Sequence, residues 1–177
     1  MIVCGIDPGM GGALAVISNG TYCGKPISWV IDTCCMPTMG EKTKRLVDGN
    51  AVRRFIVERD VEFVVIEQVG AMPGQGTASM FRFGVAFGQV IGIIQGLGLP
   101  HAFVTPQTWK KAMGLSKDKT LSRRRAIERL PGAAEQFQRV KDADRAEAAL
   151  LALYWLSKEP PCPKPSTPSS SSCMPQA

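Results

Sequence analysis

Two acidic residues stand where strand-like apolar runs end. Asp7 follows residues 2–6, and Glu67 follows residues 63–66. An acid after a strand has two common uses: it organises the following turn, or it projects into a site beyond the strand. A Glu at the edge of a buried strand is costly unless it is paired, hydrogen-bonded or metal-bound. If the two strands are parallel neighbours, we expect both carboxylates at one edge of the sheet.

Two more acids precede an apolar run near the end of the chain. On a helix, Asp144 and Glu147 share one face, while Asp142 lies on roughly the opposite side of Asp144. The spacing Asp-x-x-Glu is also typical of a capping box, with Asp144 as the N-cap and Glu147 at position N3. From the residues alone, both interpretations stay open.

The four acids Asp7, Glu67, Asp144 and Glu147 form a ligand set of oxygen atoms only, without His or Cys. Mg²⁺ and Mn²⁺ prefer such ligands. Four carboxylates brought together without cations repel one another, and bound metal ions relieve that repulsion. Two ions about 3.5–4 Å apart can activate a water and stabilise the leaving oxygen of a phosphodiester. The pattern therefore favours metal-dependent hydrolysis of phosphodiesters.

A sheet with a defined strand order is needed to bring these acids together. Five apolar runs look like strands, at residues 2–6, 13–17, 27–31, 63–66 and 102–104. Short links make the first three an antiparallel meander, whereas helices predicted at residues 50–58 and 79–97 separate the later strands, which gives parallel pairs. The sequence thus predicts an α/β domain with a mixed five-stranded sheet, followed by helices to about residue 156.

The helix predicted at residues 79–97 has a glycine at every fourth position, and we call these four the glycine face: Gly84, Gly88, Gly92 and Gly96. Each costs about 0.8–1 kcal/mol relative to Ala in a helix, so close packing must compensate. We expect close approach to the sheet, with contact to a symmetry-related copy as the alternative. We expect no membrane span, because the longest apolar stretches carry Gly, Gln or charge every few residues.

The chain has 177 residues, 45% of them hydrophobic and 20% charged, which is enough for one globular domain. We assign the domain to residues 1–157 and predict a disordered tail at residues 158–177, where proline and serine dominate. The six cysteines form no Cys-x-x-Cys pair and His101 is the only histidine, so zinc-ligand spacing is absent. We interpret the cysteines as reduced thiols, as in a cytoplasm.

Positive charge is concentrated between residues 109 and 129. This stretch has eight Lys or Arg residues against two acids, an excess equal to the net charge of +6 of the whole chain. A solvated helix face usually mixes charges of both signs. Clustering of one sign favours a polyanion such as nucleic acid. On this feature alone, both interpretations stay open.

Three motifs follow one another along the chain: Gly5-Ile6-Asp7-Pro8-Gly9 with Gly12-Ala13-Leu14-Ala15, then Ile66-Glu67-Gln68-Val69, then Asp144-Arg145-Ala146-Glu147-Ala148. In this order they resemble the motifs of RuvC-type Holliday junction resolvases, in the RNase H-like (retroviral integrase) superfamily. A further stretch, Thr105-Pro106-Gln107-Thr108-Trp109-Lys110, resembles bacterial, phage and organellar variants. The resemblance covers about residues 2–154.

The resemblance implies a three-layer RNase H-like fold, a homodimer, and two Mg²⁺ ions per active site, with Mn²⁺ as a substitute. It implies an endonuclease that cuts four-way DNA junctions symmetrically, in the cytoplasm of a bacterium or phage-infected host or in an organelle matrix. It assigns metal coordination and catalysis to Asp7, Glu67, Asp144 and Glu147. Better-known bacterial enzymes have Asp at the position of Glu147, so Asp142 stays a candidate ligand.

The resemblance also implies DNA contacts. The predicted DNA-binding residues are Lys110, Lys111, Lys119, Arg123, Arg124, Met72 and Phe81. Lys110 and Lys119 fall where the family presents lysines to the scissile phosphates, and we count Lys119 among the catalytic residues. Met72 and Phe81 are candidates for the apolar side chain that inserts at the junction centre, although a Phe at the start of a helix is more often core.

Other functions fit parts of the same pattern. Actin-like sugar kinases also begin with a strand, an Asp and a Gly-rich hairpin, but they need a second domain for which 177 residues leave no room. We therefore expect no nucleotide cofactor. Two alternatives stay open: another RNase H-like nuclease, acting on RNA–DNA hybrid or other branched DNA, and a junction-binding protein without catalysis.

Overall fold

The computed structural model of the chain describes residues 1–23, 25–41, 45–70, 74, 76–116 and 118–158. The predicted tail lies almost entirely outside these residues, so its disorder stays a prediction. Seven strands are present in the described part: β1 (Ile2–Asp7), β2 (Ala13–Tyr22), β3 (Lys25–Cys35), β4 (Thr38–Met39), β5 (Leu46–Val47), β6 (Phe63–Glu67) and β7 (His101–Val104). The two-residue strands β4 and β5 pair only with each other.

Five α-helices accompany the strands: α1 (Gly49–Val57), α2 (Thr77–Gly96), α3 (Pro106–Ala112), α4 (Lys119–Arg129) and α5 (Ala143–Leu156). Two 3₁₀ segments, Pro131–Phe137 and Val140–Asp142, connect α4 to α5. Side chains cap three of the helices, with Asp48, Thr105 and Asp118 each accepting a hydrogen bond from a backbone N–H of the first turn. The helices begin where the sequence offers such caps.

The five longer strands form one sheet in the order β3-β2-β1-β6-β7. Strands β3, β2 and β1 are antiparallel, while β6 and β7 run parallel to β1, which confirms the predicted mixed sheet. Ile6 pairs with Ile66 across β1 and β6, so Asp7 and Glu67 leave the sheet side by side. The strand order alone brings these two acids to one edge.

Helices cover both faces of the sheet, so the domain has three layers. On one face, α1 and α2 pack side chains such as Ile56 and Val90 against Val64 and Ile66. On the other face, α4 and α5 pack with the 3₁₀ segments against Val3 and Val65. Burial of apolar side chains in these two cores is the main stabilising contribution to the fold.

The glycine face of α2 contradicts its predicted contact with the sheet. All four glycines are exposed, and a Cβ added at any of them would have no atom within 4 Å. The sheet instead contacts Ala86, Val90 and Ile94, on another side of the helix. The prediction was wrong because a repeat of four residues marks a face but not the direction in which that face points.

Helix α2 also differs from the expectation about membrane spans. It is the one helix in the described ranges that is long and apolar enough, by length and composition, to cross a membrane. These two properties alone do not separate a membrane span from a helix with an apolar face packed on protein. In this fold Ala86, Val90 and Ile94 of α2 are buried against the sheet, and 17% of the apolar window of the helix is buried.

Helix α5 lies directly on the backbone of β1. A Cβ added at Gly5 would collide with the backbone oxygen of Ala148 and lie 2.9 Å from the backbone nitrogen of Ala152. Small residues on the facing side of α5, including Ala149, are fully buried and permit the same close approach. The first turns of α5 are thereby held beside the end of β1.

We expect Gly5→Ala to lower the free energy of unfolding by about 1–3 kcal/mol, because an overpacked contact between backbones cannot relax by side-chain rotation. Chemical denaturation measures this decrease. Gly11→Ala is the control, since Gly11 is exposed and a Cβ there has no atom within 4 Å. Equal stability of the two variants would contradict the close contact.

Candidate active site

The structure brings the four predicted acids to one end of the sheet. Asp7 ends β1, Glu67 ends β6, and Asp144 and Glu147 lie in the first turns of α5. A narrow cleft, with no room for a water molecule as the side chains stand, is lined by Asp7, Glu67, Glu147 and Trp109. Burial raises the pKa of Asp7, and the charges of Asp144 and Glu147 raise it further. The acids therefore share one electrostatic environment.

Asp7 combines the two uses that its sequence position left open. Its Oδ1 accepts a hydrogen bond of 3.2 Å from the backbone N–H of Gly9, as in an Asx turn. The turn closes tightly, because a Cβ at Gly12 would collide with the backbone oxygen of Asp7. The same side chain lines the cleft with Glu67. The turn thus fixes the carboxylate at the edge of the site.

Glu67 is almost completely buried, with 8% of its surface exposed. Its Oε1 accepts a hydrogen bond of 2.8 Å from Nε1 of Trp109, which is also buried. Burial raises the pKa of Glu67 to about 7; the Trp109 bond lowers it and the charge of Asp7 raises it. Glu67 therefore holds a proton close to neutral pH unless a cation approaches.

Lysines approach the other two acids. Lys119 Nζ lies 2.6 Å from Asp144 Oδ1, and Lys110 Nζ lies 3.0 Å from Glu147 Oε1. The same Glu147 oxygen accepts a hydrogen bond of 2.8 Å from the buried hydroxyl of Ser122. The hydrogen bond to Asp144 raises the pKa of Lys119. Lys119 is therefore a cation beside the cleft, and Lys110 is paired with Glu147.

Asp142 corrects the capping-box interpretation. Helix α5 begins at Ala143, so Asp144 lies inside the first turn, and the N-cap position falls on Asp142, whose side chain makes no cap bond to the helix. Its two oxygens instead accept hydrogen bonds from Arg139 and Arg145. Although burial opposes its ionisation, these bonds lower the pKa of Asp142 to about 2. Both carboxylate oxygens of Asp142 are bonded to arginines at the start of α5, whereas no arginine bonds to the acids of the cleft among the described residues.

The donor set of the cleft fits a hard divalent cation in its chemistry, because it consists of four carboxylates without nitrogen or sulfur ligands. As the side chains stand, no three acidic, His or Cys groups converge on a single point in the part of the chain that the structure describes. Two of the carboxylates, Glu147 and Asp144, are instead paired with the amino groups of Lys110 and Lys119. Metal binding would therefore require these two amino groups to move away.

The other predicted DNA-binding residues differ in how available their side chains are. Lys111 is exposed on α3, and the side chain of Arg124 is 72% exposed on α4. Arg123 is engaged within the fold, because its Nη1 donates to the backbone oxygen of Gln138 at 2.6 Å. Phe81 is 73% exposed at the start of α2, so it is not a core residue. Met72 lies outside the described residues.

Two residues of the site were missed from the sequence: Trp109 and Ser122. A buried indole N–H usually has an acceptor, so a Trp beside two lysines was a signal that an acid lies nearby. Ser122 and Ala126 are the small residues in a helix otherwise rich in arginine, and both are fully buried. Their spacing marked the face of α4 that turns inward. Neither signal identifies which acid is the partner.

Comparison with solved structures gives three informative similarities. RuvC of Thermus thermophilus superposes with a TM-score of 0.65 at 20% identity, over 89% of this chain and 96% of that protein, and the same enzyme has been solved with a Holliday junction substrate. The fowlpox virus Holliday junction resolvase superposes with a TM-score of 0.54 at 16% identity, over 89% of this chain and 99% of that protein. A yeast mitochondrial Holliday junction resolvase superposes with a TM-score of 0.53 at 12% identity, over 87% of this chain and 77% of that protein.

These similarities confirm the predicted RNase H-like fold of the RuvC type. No protein-family model matches the chain, and no curated protein sequence matches it. The structural similarity covers 89% of this chain. At identities of 20% or less, it is evidence for the fold.

The shifted pKa of Glu67 predicts how stability depends on pH. The folded protein holds this proton up to about pH 7, whereas the ordinary value is 4.5, so the free energy of unfolding falls as pH rises through that window. Without metal, we expect a decrease of about 1–3 kcal/mol between about pH 5 and pH 8. Glu67→Gln keeps the acceptor for Trp109 and should remove this decrease. Denaturation of both proteins in EDTA measures the difference, and equal pH dependence would contradict the burial effect.

Proposed function

We propose that this chain is a structure-selective DNA endonuclease that resolves four-way junctions by metal-dependent phosphodiester hydrolysis. The observation that carries the proposal is the cluster of four acids at one end of the sheet, faced by lysines from two neighbouring helices. Acids supply ligands for divalent cations, and lysines supply charge for a phosphate. The similar folds of three Holliday junction resolvases support four-way DNA as the substrate.

The residues of the cleft have separate roles in this proposal. Asp7, Glu67, Asp144 and Glu147 would hold two Mg²⁺ ions, with Mn²⁺ as a substitute. When bound there, such ions generate a hydroxide nucleophile and stabilise the leaving oxygen. Lys119 stays protonated, because the hydrogen bond to Asp144 raises its pKa, so it faces the scissile phosphate as a cation and not as a general base.

The glycine face of α2 supports the proposed homodimer. Four glycines in one row leave an open backbone surface, and no atom of the described chain covers it. Half-exposed apolar side chains such as Val85 and Ile91 lie on the same helix. A row of glycines lets a second backbone approach closely, and a second copy of the chain could pack there in this way. Two active sites related by symmetry are what paired cuts across a four-way junction require.

We expect Asp7→Asn to abolish cleavage while junction binding survives, because removing a negative ligand affects metal activation and not phosphate contacts. The assay compares a synthetic four-way junction with linear duplex and RNA–DNA hybrid, in Mg²⁺ or in EDTA. Selective junction cleavage that needs Mg²⁺ supports the proposal. Preferred cleavage of hybrid would favour another RNase H-like nuclease, and binding without any cleavage would favour a junction-binding protein.

The two lysines of the cleft should act differently from the exposed cations around it. We expect Lys110→Ala with Lys119→Ala to lower the cleavage rate at saturating DNA far more than the affinity, because these cations stabilise charge developing in the transition state. The matched pair Lys111→Ala with Arg124→Ala should weaken binding and flatten its salt dependence by about 0.9 log units for each phosphate that is no longer neutralised. Equal effects of both pairs on affinity, with no separate decrease in rate, would contradict these roles.

A further inference from the structure

Two neutral hydrogen-bond donors contact the buried acids from outside the predicted set of catalytic residues. Trp109 Nε1 donates to Glu67 Oε1 at 2.8 Å, and Ser122 Oγ donates to Glu147 Oε1 at 2.8 Å. Trp109 is 1% exposed and Ser122 is fully buried, so water does not compete for these bonds. Each bond fixes one oxygen of its carboxylate in a dry environment.

Neutral donors and lysines have opposite consequences for a carboxylate. An ammonium group satisfies a carboxylate and also cancels its charge, whereas an indole N–H or a hydroxyl fixes the oxygen and leaves the charge available. Among the described residues, hydrogen bonds to Glu67 and Glu147 reach only Oε1 of each side chain. The second oxygen of each carboxylate is left for another partner.

Helices α3 and α4 contribute the same two kinds of side chain to the acids. Each presents one neutral donor and one lysine: Trp109 with Lys110 on α3, and Ser122 with Lys119 on α4. In both helices the neutral donor is the more buried member of the pair. The buried member cannot leave without disrupting packing, while the lysine can move toward solvent or DNA.

We propose that Trp109 and Ser122 are positioning residues, which hold Glu67 and Glu147 so that one oxygen of each carboxylate stays free for a divalent cation. Hydrogen bonds to ligating carboxylates orient the ligand, and removing them typically costs about 10–100-fold in metal affinity or activity. The proposal rests on the metal site of the proposed function. It assigns the orientation of the acids to donors that themselves touch neither metal nor DNA.

A purely structural role for Trp109 is the competing explanation. In that case the indole would fill the core, and its N–H would bond to Glu67 only to avoid an unsatisfied donor. Trp155 argues against such a requirement, because its indole stacks on Phe63 at 4.8 Å while its buried Nε1 has no partner among the described residues. Among the described residues, one buried indole N–H thus stands without an acceptor.

Direct measurement of Mn²⁺ binding by electron paramagnetic resonance, without DNA, tests the proposal. We expect Trp109→Phe and Ser122→Ala each to weaken Mn²⁺ binding by about 10-fold or more. Cleavage should then need more metal and recover at high Mn²⁺, while junction affinity in EDTA stays unchanged. Trp155→Phe and Ser18→Ala are the matched controls. Ser18 is buried in β2 and pairs with Ile2, at the opposite end of β1 from Asp7. Both controls should bind Mn²⁺ like the unchanged protein.

The outcomes separate this proposal from the proposed function. Unchanged Mn²⁺ affinity in folded Trp109→Phe and Ser122→Ala would overturn the positioning role even if junctions are cut. Decreases equal to those of the two controls would also overturn it, because they would reflect packing alone. A chain that binds no Mn²⁺ would overturn it as well. If the expected differences appear but no junction is cut, the positioning role stands and the proposed function fails.

Discussion

The close contact between α5 and the backbone of β1 is the constraint on which the site depends. At Gly5 there is no room even for a methyl group beside the backbone of Ala148. The helix can approach the sheet this closely only because small residues line both surfaces. Asp144 lies one turn before Ala148 and Glu147 directly before it, so their carboxylates reach the end of β1 where Asp7 lies. A helix seated farther from the sheet would separate the acids.

Buried negative charge is the cost of this arrangement, and two other helices offset it. Helices α3 and α4 place lysines and neutral donors against the acids. One oxygen each of Glu67, Glu147 and Asp144 accepts a hydrogen bond from these helices. Burial is the main reason that the pKa of Glu67 is raised to about 7, and the charge of Asp7 adds to the effect. Asp7 bonds only to a backbone N–H among the described residues, and burial raises its pKa as well.

The sequence was sufficient for the mixed five-stranded sheet and, given that the strands before Asp7 and Glu67 are neighbours, for the edge at which the acids meet. Apolar runs ending in Asp7 and Glu67 are local signals, and helical crossovers determine that β1 and β6 are parallel. It was insufficient where the answer depends on the direction of a side chain or a helix face. The glycine face points outward, and Asp142 bonds to arginines instead of joining the acids. A capping box and a catalytic pair also have the same spacing, and only the start of α5 at Ala143 separates them.

The amino groups of Lys110 and Lys119 give the protein its own counterions. Two of the four carboxylates, Asp144 and Glu147, are paired with lysines when α3, α4 and α5 assemble, so the protein itself relieves part of the repulsion between the acids. In the proposed nuclease, folding and metal loading would therefore be separate events, in contrast to zinc fingers, which are unfolded without their ion. A newly made chain would reach its native structure under metal starvation and stay inactive. The cleavage activity of the proposed nuclease would then follow the supply of divalent ions, while the amount of folded protein would not.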